Sequence, residues 1–440
     1  MAEEVGVEPQ GSTKCEANIG SAILYQNEQN TLTLIDLPTS IALAQGLQGD
    51  PPPIDILLSS IPLQAPYPSI EPKSESAIAN VLKRQGSNHL EDYQEFISNG
   101  LQEVRDKHSG DWCKPRQVLS HDQTQWKKDK GAVEHVSKDS KDDRDRFPYS
   151  NSKCLFLKLD QAPGIVRYRS ASQLTLRPVH NVRTTRCLLG ALAECSSDVL
   201  EVYRIPPNST FLSCNINEQS ADEFSEAVVK FYPTPSASAA PGQFDFILLD
   251  PPWSNKSVKR SKMYKTMKTT FGSKVDLDPI SVLRRMLGNH IAPQGLVACW
   301  ITNNFSVREA ALKAFEDWEV DLIEEWVWLK TTVTGVPVYD LAGLWRKPYE
   351  VLLVGRKTSL FVSERTVDTS REVKRRLIVG VPDLHSRKPS LKELIEPMML
   401  DSQNYRALEV FARNLTAGWW SWGNEVLEIN KNEYWKSVWV

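Results

Sequence analysis

The chain has 440 residues, 41% of them hydrophobic, and a formal net charge of −3. This length permits two or three domains, and the composition is that of a soluble globular protein. Because acids slightly outnumber bases, a strongly basic protein is excluded, and any surface for nucleic acid must be a local patch. The seven cysteines form no Cys-x-x-Cys pair, which argues against a zinc site or disulfide framework and favours an intracellular protein. The acidic start predicts no secretory signal, and no apolar run approaches the roughly 20 residues of a membrane span.

The first 106 residues predict a short disordered start followed by a small α+β domain. Residues 1–20 are expected to be disordered. Segments 21–25 and 31–35 alternate apolar and polar residues around a polar turn, which predicts a hairpin. Helical periodicity over 75–106 predicts helices. We therefore expect an N-terminal domain over residues 21–106.

A change of composition follows this predicted domain. Residues 107–150 are rich in mixed charge, which predicts a flexible linker. Residues 151–204 predict a strand-rich middle segment, with strands near 154–159 and 166–168 and a short helix at 187–194.

Strands and helices alternate from residue 205 to residue 440. The predicted strands cover 210–214, 244–249, 296–302, 320–329, 349–355, 377–381 and 407–411, and the predicted helices cover 279–289, 305–318 and 390–400. Such alternation is typical of an α/β fold with a doubly wound sheet, which binds its ligands at the carboxyl ends of strands.

The strongest chemical motif follows the apolar run 244–249, which ends at Asp250-Pro251-Pro252-Trp253 because proline has no N–H for a sheet. The exocyclic amine of adenine is a poor nucleophile, since its lone pair is delocalised into the ring. A carboxylate from Asp250 and the carbonyl of Pro251 can accept both amine protons and expose that lone pair. The prolines hold the acceptors in place, and Trp253 offers a face for a flipped-out base.

A plain turn is the alternative interpretation of this motif, and the chain contains an internal comparison. Asp50-Pro51-Pro52-Pro53 shares the first three residues, but it follows no strand and ends without an aromatic residue. We interpret that second motif as a loop, and we favour the functional interpretation for Asp250 to Trp253.

A basic stretch follows the motif. Residues 254–275 contain no Asp or Glu but seven Lys or Arg, among them Lys256, Lys259, Arg260 and Lys262. Beside a site for a base, such a loop favours a clamp on phosphates. The alternative is a solvated surface loop.

Over about residues 205–440 the chain resembles the eukaryotic adenine-N6 methyltransferase family that includes the messenger-RNA adenosine methyltransferase. The resemblance rests on the tetrad and on five further segments: Gly343-Leu344-Trp345, Glu350 to Gly355, Ser386 to Pro389, Glu409 to Arg413 and Gly423-Asn424-Glu425. It implies a Rossmann-like methyltransferase domain in permuted order, with the catalytic motif before the cofactor strand.

The resemblance also implies site residues and a cofactor, S-adenosyl-L-methionine, with no metal. It assigns catalysis to Asp250, Pro251, Pro252 and Trp253. It assigns cofactor binding to Asn215, Ile216, Asp250, Ser386, Lys388, Glu409, Val410, Phe411, Arg413, Thr416, Asn424 and Glu425. It assigns substrate binding to Trp253, Lys256, Lys259, Arg260, Lys262, Tyr264, Glu350 and Lys388.

Several positions depart from the family pattern or have a structural alternative. Ala412 replaces a common glycine, Leu415 a histidine and Glu425 a glutamine. Lys388 could serve only as part of a helix N-terminus, and Glu350 only as a surface charge at a strand end. Trp419, Trp420 and Trp422 could form a stacking platform, but we favour core packing.

The function implied by the resemblance is N6-methylation of adenosine in RNA. The branch of the family most similar to this chain implies an internal 2′-O-methyladenosine of U2 small nuclear RNA, and a nuclear protein with the cytoplasm as a second location. The alternatives are a DNA N6-adenine methyltransferase and a catalytically dead nucleic-acid-binding scaffold. We expect no membrane partner and a monomer without a dead partner subunit, because the residues before 205 could complete the nucleic-acid groove. Alternatively, residues 1–106 recruit partners without contacting the active site.

Overall fold

The computed structural model describes residues 20–47, 49, 55–68, 71–85, 90–119, 157–159, 165–168, 177–192, 200–236, 238–253, 280–344, 346–358 and 372–437. The basic stretch and Tyr264 lie outside the described residues, as do residues 1–19 and 120–150. Within the described ranges no helix is long and apolar enough to cross a membrane.

Seventeen strands occur in these ranges. In chain order they are β1 (Ile23–Gln26), β2 (Leu32–Ile35), β3 (Asp55–Leu57), β4 (Leu157–Lys158), β5 (Ile165–Tyr168), β6 (Val179–His180), β7 (Cys187–Leu192), β8 (Leu200–Ile205), β9 (Thr210–Ser213), β10 (Phe244–Leu249), β11 (Ile291–Ile301), β12 (Val320–Lys330), β13 (Tyr349–Lys357), β14 (Lys374–Gly380), β15 (Ala407–Val410), β16 (Trp420–Gly423) and β17 (Trp435–Ser437).

The helices of the described ranges are mostly short. The α-helices are α1 (Leu37–Leu43), α2 (Glu75–Gln85), α3 (Leu90–Lys107), α4 (Glu218–Phe231), α5 (Ser281–Met286), α6 (Phe305–Asp317) and α7 (Lys392–Ile395), and 3-10 turns cover Leu287–His290, Glu396–Met398 and Asn432–Tyr434. Asn217 caps α4 in a reciprocal capping box with Ser220, and Asn304 caps α6.

A twelve-stranded mixed sheet organises the molecule, in the order β1-β2-β14-β12-β13-β11-β10-β15-β16-β9-β6-β4. The central strands β9, β16, β15, β10 and β11 run parallel, whereas β13 is antiparallel to both β11 and β12. The α/β class predicted from the alternation of elements is confirmed. The permuted order stays a prediction, since it depends on which strand binds the cofactor.

The sheet is covered on both faces, and β10 is buried along its whole length. Ile247 and Leu249 pack in one core with side chains of α3, α4, α5 and α6. Phe246 and Leu248 pack in the opposite core with α1 and α7. A strand buried on both faces is typically a run of apolar residues, and the consecutive apolar residues Phe246 to Leu249 made this strand predictable.

Residues from the predicted N-terminal domain join the same sheet. The predicted hairpin is confirmed as β1 and β2, and β2 pairs in parallel with β14. Helix α3 approaches β14 so closely that a Cβ on Gly100 would lie 2.5 Å from Leu377 Cδ2. Tyr93 of α3 donates its hydroxyl to Glu325 of β12 at 2.7 Å. These contacts join described residues of the predicted N-terminal domain to the sheet. The recruitment alternative, which concerns contact with the active site, and the division into domains stay predictions.

Two predicted helices differ from the structure. The helix predicted at 187–194 is wrong, because Cys187–Leu192 is strand β7, which pairs with β8 and β5. A short apolar run fits the periodicity of a helix as well as that of a strand, and pairing with neighbouring strands decides which of the two forms. The helix predicted at 390–400 is shorter, because Pro397 has no N–H to continue the α-helical ladder and the chain tightens into a 3-10 turn.

Candidate active site

Those predicted site residues that the structure describes lie near one edge of the sheet. The carboxyl ends of β9, β16, β15, β10 and β11 share this edge because the strands are parallel. The start of β13 reaches the same edge because β13 is antiparallel to its neighbours. Asn303, just after β11, donates from Nδ2 to the carbonyl of Tyr349 at 2.9 Å and joins these two strand ends.

The tetrad forms a compact turn after β10. The backbone N–H of Asp250 donates to Val410 at 3.2 Å, and that of Trp253 donates to the Pro251 carbonyl at 2.8 Å. The indole N–H of Trp253 donates to the Trp300 carbonyl at 2.8 Å. The turn therefore holds the carboxylate, the carbonyl and the ring in defined positions before any ligand arrives.

Lys388 lies at the centre of the charged groups. Its Nζ is 2.8 Å from both carboxylate oxygens of Asp250 and 3.5 Å from Glu350 Oε2. Its ammonium also lies 5.4 Å from the ring centroid of Trp300. On the far side of Glu350 stands Lys330, which forms a second ion pair with that carboxylate. Positive and negative charges thus alternate in the order Lys330, Glu350, Lys388 and Asp250.

This alternation of charge shifts the pKa values of Lys388 and Glu350. Burial opposes the charge on Lys388, but the carboxylates of Asp250 and Glu350 raise the pKa of the ammonium above its ordinary value. Burial likewise opposes the charge on Glu350, but Lys330 and Lys388 lower the pKa of its carboxyl to about 2. Both groups therefore stay charged at neutral pH.

The pKa of Glu409, in β15, is shifted in the direction opposite to that of Glu350. Burial, followed by the charge of Asp250, raises the pKa of the Glu409 carboxyl to about 8, and Lys388 only partly offsets this. The two carboxyl groups of Glu350 and Glu409 therefore differ, since the pKa of the first is lowered and the pKa of the second is raised. A carboxyl group with such a pKa can be both donor and acceptor at neutral pH, which suits a hydroxyl-rich ligand.

The loop that carries Lys388, residues 381–389, is anchored from the N-terminal side; we call it the anchored loop. Asp383 has a fully buried side chain and accepts from the Ser60 N–H at 2.6 Å and from Arg387 Nη1 at 2.7 Å. Arg387 also donates to the Leu58 carbonyl at 2.8 Å. Arg116 donates to two carbonyls of the loop, at 2.7 and 2.8 Å.

Arg116 belongs to the predicted linker 107–150. Two backbone hydrogen bonds join its segment to Ser59. The Ser59 N–H donates to the Gln117 carbonyl at 2.8 Å, and the Leu119 N–H donates to the Ser59 carbonyl at 3.0 Å. This part of the predicted linker is therefore integrated into the fold. Residues 120–150 lie outside the described part of the chain.

The turns after β15 and β16 approach each other closely. Phe411 has a φ of 60°, and a Cβ on Gly423, whose φ is 156°, would lie 3.2 Å from the Cα of Phe411. A larger residue than glycine would be strained and crowded at that position. Arg413 forms an ion pair with Glu425 at 3.0 Å. Asn424, the residue before Glu425, is exposed.

Some predicted cofactor residues turn their side chains into the core. Ile216, Val410 and Thr416 are buried, so any contact they make with a ligand would involve backbone atoms. Asn215 is exposed after β9, and its carbonyl accepts from the Ser220 hydroxyl. Ser386 is half-buried in the left-handed region, with its hydroxyl bonded to His385 at 2.8 Å.

The three tryptophans near the site are core residues, as we favoured. Trp422 stacks on Phe224 with ring centroids 4.4 Å apart, and Trp420 meets Phe224 edge-on. Trp419 packs edge-on against Phe246 in the opposite core. Leu415, which departs from the family pattern, is fully buried in a third cluster.

Sequence reasoning missed four residues that shape this edge: Trp300, Lys330, Asp383 and Arg387. Lys330 and Trp300 lie at the ends of predicted strands, so the rule that ligands bind at strand ends could have found them. Asp383 has no local pattern, and Arg387 received no role although it lies in the segment Ser386 to Pro389, because their partners Ser60 and Leu58 are distant in sequence.

Comparison with known proteins supports the resemblance predicted from the motifs. Residues 244–425 match the MT-A70 family. The N6-methyladenosine RNA methyltransferase MTA1 of Cryphonectria parasitica is 42% identical over 198 residues, which are 44% of this chain and 54% of that protein. The protein of the same name from Pyricularia oryzae is 28% identical over 94% of this chain and 96% of its own length.

A human relative, the N(6)-adenine-specific methyltransferase METTL4, is 35% identical over 241 residues, which are 54% of this chain and 45% of that protein. The chain thus spans about half the length of two of these three relatives. The matched region contains the tetrad, Glu350, Lys388 and the turns after β15 and β16. The predicted resemblance is confirmed: residues 244–425 of this chain match the MT-A70 family.

Proposed function

We propose that this protein transfers a methyl group from S-adenosylmethionine to N6 of adenine in nucleic acid, with RNA as the preferred substrate. One observation carries the proposal: the Asp250 carboxylate is held by Lys388 at the carboxyl edge of the sheet, beside the ring of Trp253. A scaffold without catalysis has no need for this acceptor. The printed names of the relatives, two RNA methyltransferases and one adenine-specific methyltransferase, support the same chemistry.

Asp250 acts on the amine of the substrate base. Although Lys388 contacts both of its oxygens, a carboxylate offers about four lone-pair sites, so sites remain for an amine proton. The Pro251 carbonyl accepts from Trp253 and keeps a second lone pair. Accepting both amine protons moves the nitrogen toward tetrahedral geometry and makes its lone pair available. The charge of Lys388 and the Trp300 contact keep the carboxylate in place.

The residues at this edge fit the proposed cofactor. When bound, the cofactor would supply an electrophilic methyl group on a sulfonium; the amine nitrogen forms a bond to this methyl group as the bond to sulfur breaks, and the thioether leaves. Lys388 can bind its carboxylate, whereas Glu409, with a pKa of about 8, suits ribose hydroxyls. The backbone after Phe411 and the side chain of Asn424 lie at the adjoining turns, where the glycine at 423 leaves room for close approach.

The finer proposals concern the substrate and its setting. We propose an internal 2′-O-methyladenosine of U2 small nuclear RNA as the target, and the nucleus as the main location. We also propose that the chain acts as a monomer. The support for a monomer is that residues 58–60 and 114–116 anchor the loop of Lys388 within one chain, so that no second subunit is needed for that task.

Mass spectrometry of nucleosides tests the proposal. The purified protein is incubated with S-adenosylmethionine and matched oligonucleotides of RNA, RNA with a 2′-O-methylated target, and single-stranded DNA. We expect N6-methylation in RNA, fastest on the 2′-O-methylated target. Methylation of DNA alone would establish the DNA alternative. Cofactor binding by calorimetry without methylation of any substrate would favour the scaffold.

A further inference from the structure

A cluster of exposed aromatic rings and one arginine lies beside the catalytic edge. Tyr67 is 46% exposed, and its ring lies 5.4 Å from that of Tyr339 at an angle of 34°. Arg346 continues the stack, with its guanidinium carbon 5.6 Å from the Tyr339 ring centroid and Nη1 donating to the Tyr339 hydroxyl at 2.9 Å. We call these three residues the tyrosine–arginine stack.

The stack is built from two distant parts of the chain. Tyr339 and Arg346 lie in the connection between β12 and β13, whose two ends carry Lys330 and Glu350 of the candidate active site. Tyr67 lies outside the region that matches the family and is brought in by the segment 61–68. The stack therefore borders the site where the target base would enter.

The backbone around Tyr67 is held rigid although its ring is exposed. Pro66 and Pro68 flank Tyr67 and restrict its backbone. The N–H of Tyr67 donates to the Val338 carbonyl at 2.9 Å, and the Leu63 carbonyl accepts from Val333 at 3.0 Å. An exposed ring on a preorganised backbone loses little conformational entropy when a ligand stacks on it.

The connection that carries Tyr339 is also fixed from its other side. Gly335 has a φ of 73°, and a Cβ there would lie 2.4 Å from the ring of Trp112. Arg105 donates to the Gly335 carbonyl at 3.0 Å. The stack thus stands on a connection clamped between Trp112 and the segment of Tyr67.

The charge of the stack selects the class of ligand. Arg346 is exposed and forms no ion pair with any carboxylate in the described part of the chain. The nearby acids face the loop backbone, since Asp340 accepts from Ala342 and Glu71 accepts from Leu344. Stacked aromatic rings with an unneutralised guanidinium at one end suit an unpaired base followed by a phosphate.

We propose that the tyrosine–arginine stack binds single-stranded nucleic acid that flanks the target adenosine, with a base on the exposed ring of Tyr67 and the phosphate of a neighbouring nucleotide on Arg346. This inference rests on the proposed function, because it takes the ligand to be the nucleic-acid substrate. It adds a contact from residues outside the matched family region, and it gives the N-terminal part of the chain a direct role in substrate affinity.

Fluorescence anisotropy with the full chain tests the stack. Two single-stranded RNAs share the target adenosine: a short one of about 4 nucleotides and a longer one of about 15. We expect Tyr67→Ala and Arg346→Gln to weaken binding of the longer RNA by about 10-fold, and to leave the short RNA within about 2-fold of wild type. Tyr67→Phe, which keeps the ring, should bind as wild type does. Leu400→Ala, at a residue 71% exposed near the opposite edge, is the control.

Several outcomes would overturn the inference. Wild-type binding of the longer RNA by both Tyr67→Ala and Arg346→Gln would exclude the stack as a binding surface. Equal loss on both RNAs would point to damage at the active site, and loss in Tyr67→Phe would exclude stacking as the cause. Failure of the proposed function is distinguishable, because it would appear as absent methylation by the wild-type protein.

Discussion

Lys388 Nζ lies 2.8 Å from each carboxylate oxygen of Asp250, although 138 residues separate the two in sequence. The same ammonium reaches Glu350, which in turn pairs with Lys330. The carboxylate that we assign to the substrate amine is therefore oriented before the substrate binds. In a protein interior such preorganisation is a large source of rate enhancement, because no dipoles need to reorganise during the reaction.

The first prediction concerns Asp250→Ala. We expect the variant to lose methylation by more than about 100-fold, since removal of one preorganised acceptor costs on the order of 3 kcal/mol in the barrier. The fold should survive, because Lys388 keeps Glu350 as a partner. The measurement is the rate of methyl transfer beside a thermal unfolding curve. Asp222→Ala, at an exposed position of α4, is the control; more than a tenth of wild-type activity in Asp250→Ala would refute the assignment.

The second prediction concerns the anchored loop. Arg387→Lys keeps the buried charge near Asp383, but the lysine side chain ends one bond earlier and cannot place its nitrogen where Arg387 Nη1 donates to both that carboxylate and the Leu58 carbonyl. We expect kcat to fall about 10-fold with little change in KM for RNA, because the neighbouring Lys388 is displaced from Asp250. A purely structural role for Arg387 would lower the melting temperature without lowering kcat per folded molecule.

The third prediction concerns Glu409→Gln and pH. The Glu409 carboxyl has an ordinary pKa of 4.5 and a folded pKa of about 8, so between these values the folded state retains a proton that the unfolded state has lost. Its contribution to stability is therefore complete below pH 4.5 and is lost as pH rises toward 8, by at most about 1.4 kcal/mol per pH unit. The Gln variant should remove this part of the decrease in the free energy of unfolding with rising pH.

Urea unfolding at pH 5.5, 6.5 and 7.5 measures that slope. Glu316→Gln, whose side chain is 72% exposed on α6, is the control and should keep the wild-type slope. The pKa of Glu350 is lowered instead, so its contribution is lost only at acid pH, below this window. Identical slopes for wild type and Glu409→Gln would contradict the assigned environment of Glu409.

The fourth prediction concerns the basic stretch after the tetrad. Replacing Lys256, Lys259, Arg260 and Lys262 with Ala should weaken RNA binding and reduce its salt dependence, because each phosphate contact releases about 0.7 counterions from a single strand. Affinity for S-adenosylmethionine should stay unchanged. The matched control replaces four exposed cations elsewhere with Ala: Lys107, Lys230, Arg285 and Lys313. An unaltered salt slope in the first variant would show that the stretch does not contact phosphates.

Much of the methyltransferase region was predictable because its elements carry strong local signals. Five of the six residues of Phe244–Leu249 are apolar, with Asp245 as the exception, and two prolines follow Asp250, so both the strand and the turn follow from local chemistry. The helix predicted at 305–318 is confirmed as Phe305–Asp317, with Asn304 as its cap. By contrast, the apolar residues of Cys187–Leu192 fit a helix as well as a strand, and pairing with β8 decided the matter.

The sequence by itself determined the tetrad, the strand that carries it and the resemblance of residues 244–425 to the MT-A70 family, because each depends on residues that are neighbours in the chain. The tertiary structure alone decided that Lys388 holds Asp250, that Lys330 pairs with Glu350, and that Ser60 and Arg116 anchor the loop of Lys388. The physical reason is that periodicity and turn chemistry act over a few residues. Contacts across hundreds of residues are set by the order and direction of strands in the sheet, which no local pattern encodes.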